Sequence, residues 1–131
     1  MNRAVQFLKD CGTFYLATID GEKARVRPFG AVMEFEGKTY ICTNSEKEVF
    51  KQMIRNPYVE LSATNAGGEW IRISATAVVD SRKEAKDAMF LEYPNLKEMY
   101  AGREALYQVL YLDQASATLY SFTEEPVTLD I

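Results

Sequence analysis

The sequence contains no histidine, and this absence excludes several kinds of catalytic and metal site. Ser-His-Asp and Cys-His nucleophilic sites need an imidazole, as do histidine-ligated haem and the usual zinc centres. Histidine is also the side chain best suited to moving a proton near neutral pH. We therefore expect no metal site, and an enzyme built on this chain would take its reactivity from a bound cofactor.

Cysteine is scarce as well, since Cys11 and Cys42 are the only two in 131 residues. Their spacing matches neither a disulfide framework nor a metal motif, so we interpret both as small core residues. The lack of a bridge network favours a reducing, cytoplasmic setting. No apolar run approaches the roughly 20 residues of a membrane span, and charges interrupt the N-terminal apolar positions as in an amphipathic helix. We expect no membrane association.

Positive charge is in deficit, with 15 basic against 19 acidic residues and a net charge of −4. Nucleic-acid binding generally needs a basic face, so we expect no nucleic-acid partner. Hydrophobic residues make up 47% of the chain and charged residues 26%, which is typical of globular domains. A chain of this length has room for one core, and we expect residues 1–131 to form a single domain.

Hydrophobic periodicity and turn residues predict about seven strands and three or four helices. Ser45 with Glu48, and Ser81 with Glu84, have the spacing of capping boxes and predict helix starts there. The predicted strands cover 13–20, 24–35, 38–43, 58–64, 69–79, 106–112 and 115–122, and the helices 2–11, 45–55, 81–91 and about 95–101. Short connections favour antiparallel pairing. The predicted fold class is mainly β, a small closed or split barrel with flanking helices.

A candidate anion site begins in the segment R-V-R-P-F-G, from Arg25 to Gly30. Arg25 and Arg27 are two residues apart and therefore project from the same face of a strand. Pro28 places the strand at an edge or a bulge, and Gly30 lets another group approach the backbone. Two guanidinium groups beside irregular backbone suit a phosphate. The alternative is a solvated strand face with two ordinary arginines.

The segment T-N-S-E-K, from Thr43 to Lys47, supplies a second candidate because it precedes a predicted helix. The first N–H groups of a helix lack internal partners, and the helix dipole favours an anion there. Thr43 and Ser45 add hydroxyl donors, and Lys47 adds a positive charge. A surface lysine after an ordinary N-cap is the alternative. Because the two segments lie on consecutive strands joined by a hairpin, Arg27 and this segment can converge on one phosphate.

Trp70 is a third candidate, on the face of its predicted strand opposite the apolar residues. Arg72 shares that face. A tryptophan there can stack on a flat ring or pack into a second subunit. The alternative is a tryptophan inside the barrel.

The order of these motifs resembles the pyridoxamine 5′-phosphate oxidase-like FMN-binding split-barrel family. The resemblance rests on R-V-R-P-F in the second strand and on T-N-S-E-K before a helix that ends in N-P. It covers nearly the whole chain, and it is closest to the short, nitroimidazole-resistance-like members. It implies a six-stranded antiparallel split β-barrel that forms a homodimer, with one FMN in each of two grooves between the subunits.

By position, the resemblance also implies cofactor contacts. Arg27 and Lys47 would hold the FMN phosphate, helped by hydroxyl groups, and the strand backbone beyond Arg27 would run beside the isoalloxazine. The candidate cofactor-binding residues are Arg25, Arg27, Pro28, Phe29, Gly30, Thr43, Asn44, Ser45, Lys47 and Trp70.

Departures from the family pattern bear on activity. The true oxidases usually carry a basic residue five places after the strand-two arginine, where this chain has Val32, and often an arginine where it has Glu46. The histidine of some nitroimidazole-resistance proteins is absent too. We therefore carry over neither of those two activities.

The resulting hypothesis is an FMN-dependent oxidoreductase that reduces a small organic or quinone-like substrate, with no catalytic side chain assigned. The alternative is a flavin- or small-molecule-binding protein without turnover, for storage or sensing. Deazaflavin F420 and haem are further ligands of such barrels. The acidic net charge disfavours F420, and the absence of histidine disfavours haem.

Overall fold

The computed structural model describes residues 1–131, which form eight β-strands and four α-helices. The helices are α1 (Arg3–Cys11), α2 (Glu48–Arg55), α3 (Lys83–Glu92) and α4 (Pro94–Met99). The strands are β1 (Phe14–Asp20), β2 (Lys23–Phe29), β3 (Val32–Phe35), β4 (Lys38–Asn44), β5 (Tyr58–Thr64), β6 (Trp70–Asp80), β7 (Tyr107–Tyr120) and β8 (Val127–Leu129). A turn of 3₁₀ helix at Glu104–Leu106 precedes β7. None of the helices combines the length and apolar character needed to span a bilayer.

The strands form one antiparallel sheet with the order β2-β1-β5-β6-β7-β4-β3, and β8 pairs with β7. β2 and β3 follow one another in the chain, yet they lie at the two ends of this order. The sheet is therefore a split barrel, which confirms the predicted fold class. Six strands have seven residues or more, whereas β3 and β8 have four and three.

The strand predicted over 24–35 is two strands in the structure. β2 ends at Phe29 and β3 begins at Val32, so that Gly30 and Ala31 lie between them. Pro28, which has no N–H to donate, lies near the end of β2, and β2 is an edge strand. The break lets the chain leave one end of the barrel and re-enter the sheet at the other.

The two strands predicted over 106–112 and 115–122 are instead one strand, β7, of 14 residues. Gln114 has a φ of 50°, and the register between β6 and β7 shifts between Ser74 and Thr76. A bulge thus bends a continuous strand where the sequence pattern indicated a turn.

The predicted capping boxes are wrong, because both serine side chains stay out of the helix starts. α2 has Lys47 at its N-cap and α3 has Arg82, and neither start has a side-chain cap hydrogen bond. Asn44 Oδ1 accepts from the N–H of Glu46 at 2.7 Å, and Asp80 Oδ1 accepts from the N–H of Arg82 at 3.1 Å. Asn and Asp side chains that bond two residues ahead turn the chain before each helix.

Two apolar clusters hold the helices to the sheet. The larger cluster fills the barrel with residues such as Leu16, Leu61 and Ile73, and Val5 and Leu8 of α1 belong to it. The smaller cluster joins β3, β4 and β7 to the α3–α4 region through Met33, Tyr40, Ala85, Met89, Tyr100, Tyr107 and Val109. α3 and α4 thereby pack beside the end of the sheet at which β3 lies.

Candidate functional site

A cavity of about 380 Å³ opens where the end of β2 passes the start of α2. Its first wall is the segment from Arg27 to Ala31, and its second is the end of β4 with the start of α2. The third wall comes from the α3–α4 junction and α4, from Tyr93 to Tyr100. The gap between β2 and β3 thus becomes one side of a concave site enclosed by two helices.

The cavity is positively charged although the chain is acidic overall. Arg27 and Lys47 line it, and no aspartate or glutamate does. The net charge of the chain is −4, so its carboxylates are placed elsewhere. A concave surface lined by charge of one sign concentrates the opposite charge, and this cavity is therefore suited to an anionic group.

Arg27 is tied to the protein by three hydrogen bonds. Its Nη1 donates to Thr18 Oγ1 at 2.7 Å and to the Leu16 carbonyl at 3.3 Å. Its Nη2 donates to Gln52 Oε1 at 2.6 Å, and both Thr18 and Gln52 are buried. Burial lowers the pKa of Arg27 and the charge of Arg25 lowers it further, but an arginine stays protonated. Arg27 therefore links β2 to β1 and α2 while its charge borders the cavity.

Lys47 is the uncommitted cation of the cavity. Its side chain is exposed and forms no ion pair with any carboxylate of the chain. A lysine at a helix N-terminus opposes the helix dipole, which is unfavourable unless an anion lies nearby. The ammonium group is thus free to meet an anionic ligand.

The backbone N–H groups of the loop before α2 already have acceptors within the protein. The Ser45 N–H donates to the Leu106 carbonyl at 2.8 Å, and the N–H groups of Glu46 and Lys47 both donate to Asn44. The first two amides of α2 have no acceptor in the protein. The donors that this segment leaves for an anion are consequently the first amides of α2, the Lys47 ammonium group and the hydroxyl of Thr43, which lines the cavity.

Gly30 leaves bare backbone on the cavity wall. Its φ lies outside the left-handed region, and a Cβ added there would meet no atom within 4 Å. Neither conformation nor packing within the chain therefore requires glycine at this position. By contrast, Gly37 and Gly102 have φ values of 77° and 78°, which favour glycine. The space above Gly30 is a cradle in which a flat group can lie against the backbone.

Six of the ten predicted cofactor-binding residues line this cavity: Arg27, Pro28, Phe29, Gly30, Thr43 and Lys47. The other four, Arg25, Asn44, Ser45 and Trp70, lie outside it. Arg25 shares its strand face with Arg27 as predicted, but it forms an ion pair with Asp20, with 3.0 Å between Arg25 Nε and Asp20 Oδ2. Trp70 stacks on Tyr120 with ring centroids 5.7 Å apart, away from the cavity of its own chain.

The α4 wall was missed by the sequence analysis. Leu96, Met99 and Tyr100 line the cavity together with Tyr93 and Asn95. Leu96 and Met99 have the spacing of one helix face, which was the available signal. That spacing shows which residues share a face but not which strand the face meets.

The fold and the cavity together define a split-barrel protein with a cationic ligand cavity. A family model described as pyridoxamine 5′-phosphate oxidase matches residues 2–117. The chain belongs to this family, as the order of its motifs predicted.

Solved structures agree with this assignment. A NimC/NimA family protein from Clostridium acetobutylicum is 47% identical over 98% of this chain and 90% of that chain, with a TM-score of 0.93. General stress protein 26 from Bacillus anthracis is 14% identical over 95% of each chain, with a TM-score of 0.72. An FAD-binding protein from Mesorhizobium loti is 14% identical over 88% of this chain and 91% of that chain, with a TM-score of 0.65. The last two share the fold alone. The comparison with curated proteins gives no match.

Proposed function

We propose that the protein binds FMN in this cavity and uses it to reduce a small organic substrate. One observation carries the proposal. The cavity has two cations and no carboxylate, and the backbone at Gly30 in its wall is open to a ligand. Family membership supports a flavin, and one neighbour in the fold is described as FAD-binding. FMN, when bound, supplies hydride or electron transfer.

Different residues of the cavity would contact the phosphate and the ring of FMN. Lys47 and the first amides of α2 bind the phosphate, and Arg27 adds positive potential from its fixed place on β2. The backbone at Gly30 borders the ring, and the apolar side chains of Leu96 and Met99 keep water from it.

A homodimer is part of the proposal, because three large apolar or aromatic side chains are exposed on one face of the barrel. Val26 and Tyr15 lie on the paired strands β2 and β1, and Tyr58 lies on β5 beside them. Their exposed fractions are 67%, 50% and 62%. A second copy of the chain would cover this face, as the family resemblance implies. Light scattering should give twice the chain mass at micromolar concentration, and a flavin-loaded monomer would contradict the dimer.

Two free cysteines suit a reducing compartment, and we propose a cytoplasmic setting on that ground.

The binding test is a titration of the protein with FMN, followed by flavin absorption and fluorescence. Lys47→Ala removes a charge-assisted contact of about 1.5–3 kcal/mol, which weakens binding roughly 10- to 150-fold. Lys51→Ala is the matched control, because Lys51 is an exposed lysine of the same helix that does not line the cavity. A wild-type protein that takes up no FMN refutes the proposal.

A flavin-binding protein without turnover is the second candidate, and one observation favours it. The cavity contains no carboxylate, and burial raises the pKa of the Cys42 thiol to about 12. The site therefore offers no carboxylate, no histidine and no readily ionised thiol as a general acid or base. Reduction of the bound flavin by nicotinamide donors and its reoxidation by a quinone distinguish the two. If neither step occurs at a useful rate, the oxidoreductase proposal fails and the binding function stands.

A further inference from the structure

β3 is an edge strand, and one side chain bonds to the backbone on its open side at Val32. Only β4 pairs with it, and Val32 lies opposite Ile41 in that pairing. On the other side, the Tyr93 hydroxyl accepts from the Val32 N–H at 3.2 Å and donates to the Val32 carbonyl at 3.0 Å. In an antiparallel sheet a neighbouring strand makes this same pair of bonds to one residue. A single hydroxyl replaces it by acting as donor and acceptor together.

The bond is placed where the cavity backbone has little other support. Gly30 and Ala31 belong to no element, and both line the cavity. Upstream, Phe29 pairs with Phe14 of β1. Downstream, the next residue is Val32, which is held by Tyr93 on its open side. The two-residue wall thus runs between the Phe29–Phe14 pairing and Val32, which pairs with Ile41 on one side and bonds to the Tyr93 hydroxyl on the other.

Tyr93 is itself held in place from several directions. It lies at the junction of α3 and α4, where its N–H donates to the Met89 carbonyl at 2.9 Å. The Lys9 ammonium group lies 5.5 Å from the centre of its ring and also pairs with Glu92. A ring fixed in this way can transmit the position of α3 and α4 to the strand that it touches.

We infer that Tyr93 is a positioning residue, whose hydroxyl fixes the backbone from Gly30 to Val32 as a ligand-contacting wall. The inference rests on the proposed function, since FMN is the ligand whose ring would lie along that wall. Tyr93 acts through the backbone of β3 and takes no chemical part in a reaction.

The test compares Tyr93→Phe with Tyr107→Phe. The Tyr107 hydroxyl also donates to a backbone carbonyl, that of Lys86 at 3.2 Å, but Tyr107 does not line the cavity. Amide hydrogen exchange of the ligand-free proteins should accelerate at Val32 in Tyr93→Phe only. FMN affinity should fall at least about fivefold in Tyr93→Phe, because both hydrogen bonds to Val32 are lost and one such bond already corresponds to about fivefold. The absorption bands of the bound flavin should shift in that variant, and both changes should be absent from Tyr107→Phe.

The outcomes separate this inference from the proposed function. Normal FMN affinity and spectrum in both wild type and Tyr93→Phe overturn the inference and leave the proposed function intact. Unchanged exchange at Val32 overturns it as well, because the hydroxyl would then not hold the strand. A wild-type protein without affinity for FMN overturns the proposed function, and with it the ligand that the wall would contact.

Discussion

Replacing Gly30 by alanine should separate the stability of the protein from its affinity for the ligand. The φ of Gly30 is outside the left-handed region, and the new Cβ would meet no protein atom within 4 Å. The substitution then acts through the unfolded chain, which loses conformational freedom, and stabilises the fold by about 0.4–1 kcal/mol. For a chain of this size, the midpoint of thermal unfolding should rise by about 1–5 °C.

Ligand affinity should move in the opposite direction. The added methyl group occupies the open space beside the cavity wall, where we propose that the flavin ring lies. Forcing an extra methyl group against a fitted surface costs about 1–3 kcal/mol. The dissociation constant for FMN should therefore rise roughly five- to 150-fold.

The assay combines thermal unfolding of the ligand-free protein with an FMN titration, and Gly37→Ala is its control. Gly37 has a φ of 77° in the turn between β3 and β4, and it does not line the cavity. Alanine there should destabilise the protein by about 1 kcal/mol or more and leave FMN affinity unchanged. Unchanged FMN affinity in Gly30→Ala would refute the role of the wall. Loss of stability would refute the conformational argument.

Three further predictions concern stability, thiol reactivity and pH. Arg27→Ala should lower the free energy of unfolding by about 2–4 kcal/mol even without ligand, because three protein acceptors lose their donor; an unchanged urea midpoint would contradict this. Since burial raises the pKa of Cys42 to about 12, its thiol should react with a disulfide reagent at pH 8 far more slowly than in urea-unfolded protein, and equal rates would count against its burial. Hydrogen bonds from Arg82 and Tyr40 hold the pKa of Asp80 below its usual range, so its stabilisation is complete above about pH 4 and is lost as the pH falls further. Asp80→Asn should then show a shallower loss of stability below pH 4, and an acid profile identical to wild type would contradict the assignment.

The convergence of Arg27 and Lys47 was predicted from the sequence, but the reason given for it was incomplete. The turn pattern of the sequence predicts that the two segments lie on consecutive strands joined by a hairpin. In the structure, β2 does not pair with β3, and these two strands lie at opposite ends of the sheet order. The two cations line one cavity at the split of the barrel, where the two ends of the sheet order come together. The residue pattern within a single strand does not show which ends of the sheet come together.

The contacts that the sequence could not reveal join residues far apart in the chain. Tyr93 bonds to Val32 across 61 positions, and Arg27 bonds to Gln52 across 25. Periodicity predicts that Gln52 lies in a helix, yet an amide on a buried face has no pattern that names its partner. Local signals therefore specify the elements and the charged segments, whereas the fit between elements depends on how the barrel closes.

The two cations of the cavity differ in a way that has consequences for its chemistry. Three of the five N–H groups of Arg27 already donate to protein acceptors, which leaves its Nε–H and one Nη2–H for an anion. Lys47 has no protein partner and lies at the first turn of α2, whose leading amides are also free. Lys47 and the helix start can therefore give all of their bonds to a phosphate, whereas Arg27 divides its donors between the edge of the barrel and the ligand. This division explains why a strand edge without a second neighbour can form one wall of a binding site and still be held in register.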